Sequence, residues 1–255
     1  MWLGAFLWFS EIWVIGLQWY CLPTAKYLNG ADHKTWNPAT DTNIAASYSP
    51  RDLSGKGLCK KDLLKEMGLP NDLSERPLIG MVTRLFDQKG YRLVAEAAEE
   101  LFAIDLGLVL LAAGEVSYQE LFTELQAQHP SRFGLKLGFD PVLSHKIFAG
   151  CDMFLMPSLY EPCGLTQMYS LRYGTIPIVR ATGGLQDTVI DPNEANSPGT
   201  GFKFYRFHKD DLMSHDTSSF PFSHRQDLTN AASSPCVISL MDFIGAYRGA
   251  LAFAC

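Results

Sequence analysis

The chain has 255 residues, which is room for one large domain or two small ones at roughly 150 residues each. Hydrophobic residues make up 47% and charged residues 19%, a composition that indicates a packed core and excludes an intrinsically disordered chain. Twenty-one Lys and Arg against 27 Asp and Glu give a net charge of -6, which argues against a nucleic-acid-binding protein, since such proteins usually carry a basic face.

The cysteines show neither a metal-binding nor a disulfide pattern. They are Cys21, Cys59, Cys151, Cys163, Cys236 and Cys255. No Cys-x-x-Cys or Cys-x-x-His pair occurs among them, so the pattern favours reduced thiols in a cytosolic enzyme. The first residues also lack the Arg- and Ser-rich composition of a transit segment, which favours the cytoplasm, with a plastid as the alternative.

Residues 1–26 form an apolar leader that carries four of the five tryptophans, and Glu11 is its only charged side chain before Lys26. A membrane span needs about 20 apolar residues, but Ser10 and Glu11 interrupt this stretch and no basic residues precede it. A membrane anchor is therefore not favoured. An interfacial anchor, a buried helix and a segment foreign to the following domain all stay open, and we favour the third.

From Tyr27 onward, apolar runs alternate with helical patterns. The expected strands are Pro77–Val82, Leu106–Ala113, Leu135–Phe139, Met153–Met156 and Ile176–Val179. A loop-rich region over Leu28–Pro50 and a short helix over Leu63–Met67 precede the first strand, and a polar loop over Arg84–Gly90 follows it. The other expected helices are one containing Leu93, Val94, Ala97 and Leu101, one over His145–Ala149 and one over Leu165–Arg172. Strands that are apolar throughout and separated by helices predict an α/β fold with a doubly wound parallel sheet. Ligands of such folds bind beyond the carboxyl ends of the strands.

Two cations follow the first of these strands. Arg84 and Lys89 lie five residues apart on the predicted way into a helix, where they could converge on one anion. A pair of solvated charges that happen to flank a turn explains the pattern equally well.

Two further loops at the same predicted edge carry polar or glycine residues. Glu161 and Gly164 follow the fourth strand, a pattern suited to a ligand with both hydroxyls and phosphate, although Glu161 could simply cap a helix. Gly183 and Gly184 follow the fifth strand, which by itself is a weak phosphate signal. Three such loops at one sheet edge strengthen one another.

Four segments closely resemble bacterial glycogen synthases and plant starch synthases. They are YLNGADHKTWNP from Tyr27, RLFDQKG from Arg84, MPSLYEPCGLTQ from Met156 and RYGTIPIVRATGGLQDTV from Arg172. The resemblance runs from about Tyr27 to Tyr205, some 70% of the chain. It implies the Rossmann-like C-terminal domain of a GT-B glycosyltransferase, which takes ADP-glucose as donor and extends an α-1,4-glucan acceptor with retention of configuration.

The resemblance also implies roles for individual residues. Arg84 and Lys89 match the pair that neutralises the diphosphate leaving group, so that no metal and no other cofactor is expected. Glu161 matches the acid that binds the glucosyl hydroxyls, and Phe139 falls where the family has an adenine-stacking aromatic. The remaining substrate-binding matches are Asn29, Gln88, Cys163, Gly164, Leu165 and Thr166. Cys163 is expected to pack beside the ligand and not to act as a nucleophile, because no paired base is visible.

The expected organisation is a leader over 1–26, a nucleotide-sugar-binding domain over 27–205 and a divergent, loop-rich tail over 206–255. The family's N-terminal acceptor domain has no counterpart before Tyr27, so we expect a partial product whose acceptor half would come from elsewhere. Three functions stay open: a glucosyltransferase represented by its donor-binding half, a non-catalytic ADP-glucose-binding module, and a membrane-anchored interaction protein.

Overall fold

The computed structural model describes residues 30–191 and 199–213. Its strands are β1 (Leu78–Leu85), β2 (Gly107–Gly114), β3 (Phe133–Leu137), β4 (Met153–Met156), β5 (Ile176–Arg180) and β6 (Phe202–Phe204). All neighbouring strands pair in parallel, in the order β3-β2-β1-β4-β5-β6. The chain adds β2 and β3 on one side of β1 and then β4, β5 and β6 on its other side, so the predicted doubly wound parallel sheet is confirmed. In such a sheet the ligand crevice lies at this switch point, beyond the carboxyl ends of β1 and β4.

Helices of the described residues cover both faces of the sheet. They are α1 (Ser54–Glu66), α2 (Tyr91–Glu96), α3 (Ala98–Ala103), α4 (Val116–Gln128), α5 (Pro141–Gly150), α6 (Thr166–Arg172), α7 (Gly183–Thr188) and α8 (Lys209–Met213), with 3₁₀ turns at Asn71–Glu75 and Asp87–Lys89. None of these helices is long and apolar enough to cross a membrane.

The core consists of two layers, one on each face of the sheet. On one face, α2, α3, α4 and α8 contribute Val94, Leu101, Phe122 and Leu212 to a buried cluster. On the other face, α1, α5 and α7 contribute a second cluster, which includes Leu63, Phe148 and Leu185. Each such side chain stabilises the fold by about 1.5–3 kcal/mol relative to an exposed one. Burial on both faces explains why the central strands are apolar throughout.

Several predicted bounds need correction. The first strand continues through Leu85, because Leu85 still pairs with Gly114 of β2, so Arg84 lies on β1 and not in the loop. The third strand begins and ends two residues earlier than expected, since Gly138 has a φ of +126° and turns the chain away from the sheet. The helix predicted over Leu63–Met67 is α1, which begins at Ser54, and the helix after β1 is interrupted at Ala97.

The leader over 1–26, residues 192–198 and the part of the predicted tail from 214 onward lie outside the described residues. At the beginning of that tail, α8 contributes the buried side chains of Leu212 and Met213 to the core. The proposed boundaries at 26/27 and 205/206 stay predictions.

Candidate active site

The loops after β1 and β4 are hydrogen-bonded to each other at the carboxyl edge of the sheet. The backbone N–H of Leu159 donates to the carbonyl of Gln88 (2.9 Å), and the Gln88 amide donates to the carbonyl of Tyr160 (3.0 Å). Parallel strands bring their carboxyl ends to the same edge, and these bonds then fix the spacing of the two loops. Gln88 therefore holds the two loops together, and its predicted role in substrate binding stays a prediction.

Gly90 allows the close approach of these loops. Its φ is +75°, and a Cβ at this position would lie 1.9 Å from the carbonyl oxygen of Pro157. Any other residue would push the start of α2 away from the β4 loop, and Lys89 precedes this glycine directly.

The loop after β5 supports the β4 loop from the other side. The N–H of Gly184 donates to the carbonyl of Glu161 (2.9 Å), and a Cβ on Gly183 would lie 2.0 Å from the same oxygen. Arg180, the last residue of β5, donates to the carbonyl of Leu159 (2.8 Å). The three loops singled out in the sequence thus meet in one structure.

Lys89 and Glu161 form an ion pair across these loops, with the Lys89 ammonium donating to Oε2 of Glu161. The Glu161 residue is buried and Lys89 is half-buried. The two residues expected to touch opposite ends of a sugar diphosphate therefore lie within contact distance of each other.

Arg84 supplies a second positive charge at the same place. Its guanidinium lies on the exposed end of β1, with Cζ 5.9 Å from the centre of the Phe86 ring. Within the described part of the chain, no carboxylate forms an ion pair with Arg84, so its charge is available to an anion.

A cavity of about 410 Å³ opens above β1, β2 and β4. Four of the predicted site residues line it, namely Arg84, Lys89, Phe139 and Thr166. Its other lining residues are Trp36, Val82, Thr83, Tyr91, Leu111, Ala113, Gly138, Asp140, Pro141, Ser144, His145, Leu155, Met156 and Ser158. Glu161 is not among them, and its carboxylate pairs with Lys89, which is.

Phe139 follows β3 and leaves 91% of its surface exposed. Gly138 turns the backbone here, and Asp140 then caps α5 by accepting a hydrogen bond from the N–H of Leu143 (2.9 Å). Phe139 is therefore held between a turn and a helix start with its ring uncovered, at the rim of the cavity.

The segment from Cys163 to Thr166 carries the chain from the β4 loop into α6. Gly164 has a φ of +74°, and Thr166 begins the helix, with its hydroxyl hydrogen-bonded to the sulfur of Met156 (3.3 Å). The Cys163 side chain is buried. Cys163, Gly164 and Leu165 do not line the cavity, and Asn29 lies outside the described residues.

An aromatic and acidic cluster beside the cavity was not predicted. The indole of Trp36 stacks between the rings of His145 (3.9 Å between centroids) and Tyr169 (4.0 Å). Nδ1 of His145 is hydrogen-bonded to Oδ2 of Asp41 (2.7 Å), which also accepts from the hydroxyl of Tyr173. His145, which was predicted only to lie in a helix, thus joins α5 to the loop-rich region. No local pattern could have revealed this, because Asp41 and His145 are 104 residues apart.

Burial by itself raises the pKa of Asp41, but hydrogen bonds from the Tyr173 hydroxyl, the Asn43 backbone and His145 outweigh it and hold the pKa below its ordinary value. For Tyr173, burial and the bond to Asp41 both raise the pKa well above its ordinary value. Asp41 is therefore an anion and Tyr173 a neutral donor at pH 7.

Among the residues that the structure describes, no group of three or more His, Cys, Asp or Glu side chains is arranged to hold a metal ion. That the reaction needs no metal stays a prediction.

The profile of the family described as glycosyl transferases group 1 matches residues 70–212. Glycogen synthase 1 of Geobacter sulfurreducens is 51% identical over 186 residues, which are 73% of this chain and 37% of that protein. Glycogen synthase of Anaeromyxobacter sp. is 52% identical over 186 residues, which are 73% of this chain and 39% of that protein. The resemblance found in the sequence is confirmed, and the chain spans less than two-fifths of the length of these relatives.

Solved structures agree with these relatives. The catalytic domain of starch synthase IV from Arabidopsis thaliana, bound to ADP and acarbose, superposes with a TM-score of 0.70 at 33% identity, over 88% of this chain and 48% of that chain. The C-terminal domain of a glycosyl transferase group 1 protein from Francisella tularensis gives a TM-score of 0.50 at 16% identity, over 72% of this chain and 84% of that chain. The latter likeness concerns the fold alone. Together they confirm the predicted Rossmann-like domain of a GT-B enzyme.

Proposed function

The chain belongs to the glycosyl transferases group 1 family, and we propose that it is the donor-binding half of a retaining glucosyltransferase of the glycogen or starch synthase type. The observation that carries the proposal is that Arg84 and Lys89 line one crevice while Glu161 forms an ion pair with Lys89. Two cations suit a diphosphate, and a carboxylate beside them suits sugar hydroxyls.

The proposed donor is ADP-glucose. Its diphosphate would lie between Arg84 and Lys89, where fixed cations stabilise the charge that develops as the bond between glucose C1 and the phosphate oxygen breaks. Glu161 would accept hydrogen bonds from the glucosyl hydroxyls. Support comes from the starch synthase IV structure, which carries ADP, and from the cavity that Arg84 and Lys89 line.

The nucleoside end would be bound by Phe139, whose exposed ring offers a stacking surface for adenine. The Cys163–Thr166 segment would border the sugar and the phosphate, with Gln88 next to the diphosphate. Asn29 would lie near the acceptor side of the cleft. These assignments stay proposals, as does the cytoplasmic location.

The proposed acceptor is the non-reducing end of an α-1,4-glucan. As its hydroxyl oxygen bonds to C1 and the bond from C1 to ADP breaks, the hydroxyl proton passes to the phosphate oxygen of the departing ADP. Transfer requires donor and acceptor to be held together, since positioning contributes much of the rate. We propose that a separate N-terminal domain supplies the acceptor wall, and that without it the chain binds the donor but hardly turns over.

Calorimetric titration of ADP-glucose into the full chain tests this function. We expect saturable binding that is lost in an Arg84→Ala, Lys89→Ala double variant. The matched control is Lys61→Ala, Lys65→Ala, which removes two exposed cations of α1 and should bind as the wild type does. UDP-glucose in place of ADP-glucose tests donor choice, and transfer to maltooligosaccharides distinguishes an enzyme from a binding module. No binding by a folded wild-type chain would refute the proposal.

A further inference from the structure

Gln167 lies at the centre of a hydrogen-bond network beneath the loop that carries Glu161. The side chain is fully buried, and its amide nitrogen donates both to the carbonyl of Cys163 (3.0 Å) and to the hydroxyl of Thr188 (3.0 Å). One amide group thus joins α6, the β4 loop and α7.

The network returns to Glu161 through α7. The Thr188 hydroxyl donates to the carbonyl of Gly184 (2.6 Å), and the N–H of Gly184 donates to the carbonyl of Glu161 (2.9 Å). Glu161 and Cys163 are therefore held from below at two backbone carbonyls, one on each side of Pro162. Such a double attachment restrains the direction in which the Glu161 side chain leaves the backbone.

The orientation of the Gln167 amide follows from its partners. The Cys163 carbonyl can only accept a hydrogen bond, so the NH₂ group must face it, which leaves Oε1 buried without a partner among the described residues. A buried, unpaired oxygen destabilises a fold, and a methionine would fill the same space without it. The contribution of the glutamine therefore lies in the two hydrogen bonds that it donates.

We propose that Gln167 is a positioning residue for the reaction, which acts through Glu161 and sets how well the site distinguishes a sugar nucleotide from the nucleotide alone. This inference rests on the proposed function, because it assigns the glucosyl group to Glu161. Gln167 itself does not line the cavity. It fixes the carboxylate that does the recognising.

The test compares the affinities of the full chain for ADP-glucose and for ADP by calorimetry. In Gln167→Met, binding of ADP-glucose should weaken about tenfold, while binding of ADP stays within about twofold of the wild type. In a Glu161→Gln background the same substitution should cause no further change, since the residue through which it acts is already altered.

Thr188 provides a second route to the same test. Thr188→Val breaks the network and should selectively weaken binding of ADP-glucose, as Gln167→Met does. Thr188→Ser keeps the hydroxyl and should bind ADP-glucose as the wild type does. A purely structural role for Gln167 would instead weaken binding of both nucleotides in proportion, and that result would overturn the inference.

The two proposals fail in distinguishable ways. A wild-type chain that binds neither nucleotide refutes the proposed function, and this inference with it. A wild-type preference for ADP-glucose that survives both Gln167→Met and Thr188→Val overturns the positioning role alone.

Discussion

The ammonium group of Lys89 donates a hydrogen bond to the carboxylate of Glu161, across 72 residues of sequence. Each charge neutralises the other in the free protein. An arriving sugar diphosphate would replace this single contact with two, since its phosphate takes the lysine and its hydroxyls take the carboxylate. The ion pair would thus keep both groups in place until the proposed donor binds.

Removing the carboxylate is expected to favour the nucleotide without its sugar. In Glu161→Gln, Lys89 loses its anionic partner and ADP should bind about threefold tighter. The gain should shrink as salt is raised, because screening weakens the attraction between the released cation and the phosphates. Calorimetry at two ionic strengths measures this, with Glu99→Gln as an exposed control. Weaker ADP binding in Glu161→Gln would contradict the prediction.

Substitution of Phe139 by alanine should weaken ADP binding but leave the stability of the fold almost unchanged. Because the ring is 91% exposed, Phe139→Ala should change the free energy of unfolding by no more than about 0.5 kcal/mol. Loss of a stacked base should weaken ADP binding by about 1–3 kcal/mol, whereas Phe139→Tyr should retain it. Urea denaturation and calorimetry on the same three proteins give both quantities. Unchanged ADP affinity in Phe139→Ala would remove this residue from the adenine site.

Gly90 and Gly68 allow a matched test of the contact between the β1 and β4 loops. Both have a positive φ (+75° and +66°), but a Cβ on Gly68 would meet nothing within 4 Å, whereas on Gly90 it would meet the Pro157 carbonyl. Gly68→Ala should therefore cost only the backbone strain, about 1 kcal/mol. Gly90→Ala should cost at least about 2 kcal/mol more, because the loops must separate.

Urea denaturation of the two alanine variants provides the measurement, and ADP titration provides a second one. Displacement of Lys89 should weaken ADP binding in Gly90→Ala and leave it intact in Gly68→Ala. Equal effects of the two substitutions on stability would show that the loops do not depend on this contact.

Because of Asp41, the free energy of unfolding should fall in acid. Its pKa is held below the ordinary value in the folded state, so the unfolded chain takes up the proton first as pH falls. The stabilisation is complete above about pH 4, the ordinary pKa of an aspartate, and is lost as pH falls further through the folded-state pKa. Asp41→Asn should be about 1–2 kcal/mol less stable at pH 7, and the difference should narrow below about pH 4.

Denaturation of both proteins at a series of pH values measures this narrowing. Glu120→Gln, at an exposed position of α4, serves as the control with no such change. A difference between wild type and Asp41→Asn that stays constant down to pH 2 would exclude the hydrogen-bonded carboxylate as its source.

The central strands were predicted from local sequence, whereas two other elements were not. Met153–Met156 is an uninterrupted apolar run next to a proline, and the structure has β4 with these bounds. In contrast, α4 (Val116–Gln128) was not recognised, although Tyr118, Leu121, Phe122 and Leu125 recur at helical spacing. The three-residue β6 is too short for a periodic pattern and depends on its pairing with β5.

Part of the candidate site could also be predicted from the sequence, and part of it could not. Loops at the carboxyl ends of parallel strands must lie near each other, so the convergence of Arg84, Lys89 and Glu161 could be expected from their order. The contacts of Trp36 with His145 and Tyr169 could not, because they join segments more than a hundred residues apart. The proposed role of Gln167 likewise depends on a contact outside its own helix, with Thr188, which lies 21 residues further along the chain.

Because Gly183 and Gly184 support Glu161, the parts of the candidate site become complete in a fixed order while the chain is being translated. Glu161 leaves the ribosome before the glycines that hold its carbonyl, so a nascent chain that ends just before β5 has the proposed recognition carboxylate but not its restraint. Under the proposed function, a competent donor pocket would therefore appear only after β5 has joined the sheet and its following loop has folded back. Ligand binding by stalled chains of increasing length should begin abruptly once α7 has emerged, and not increase gradually with each added strand.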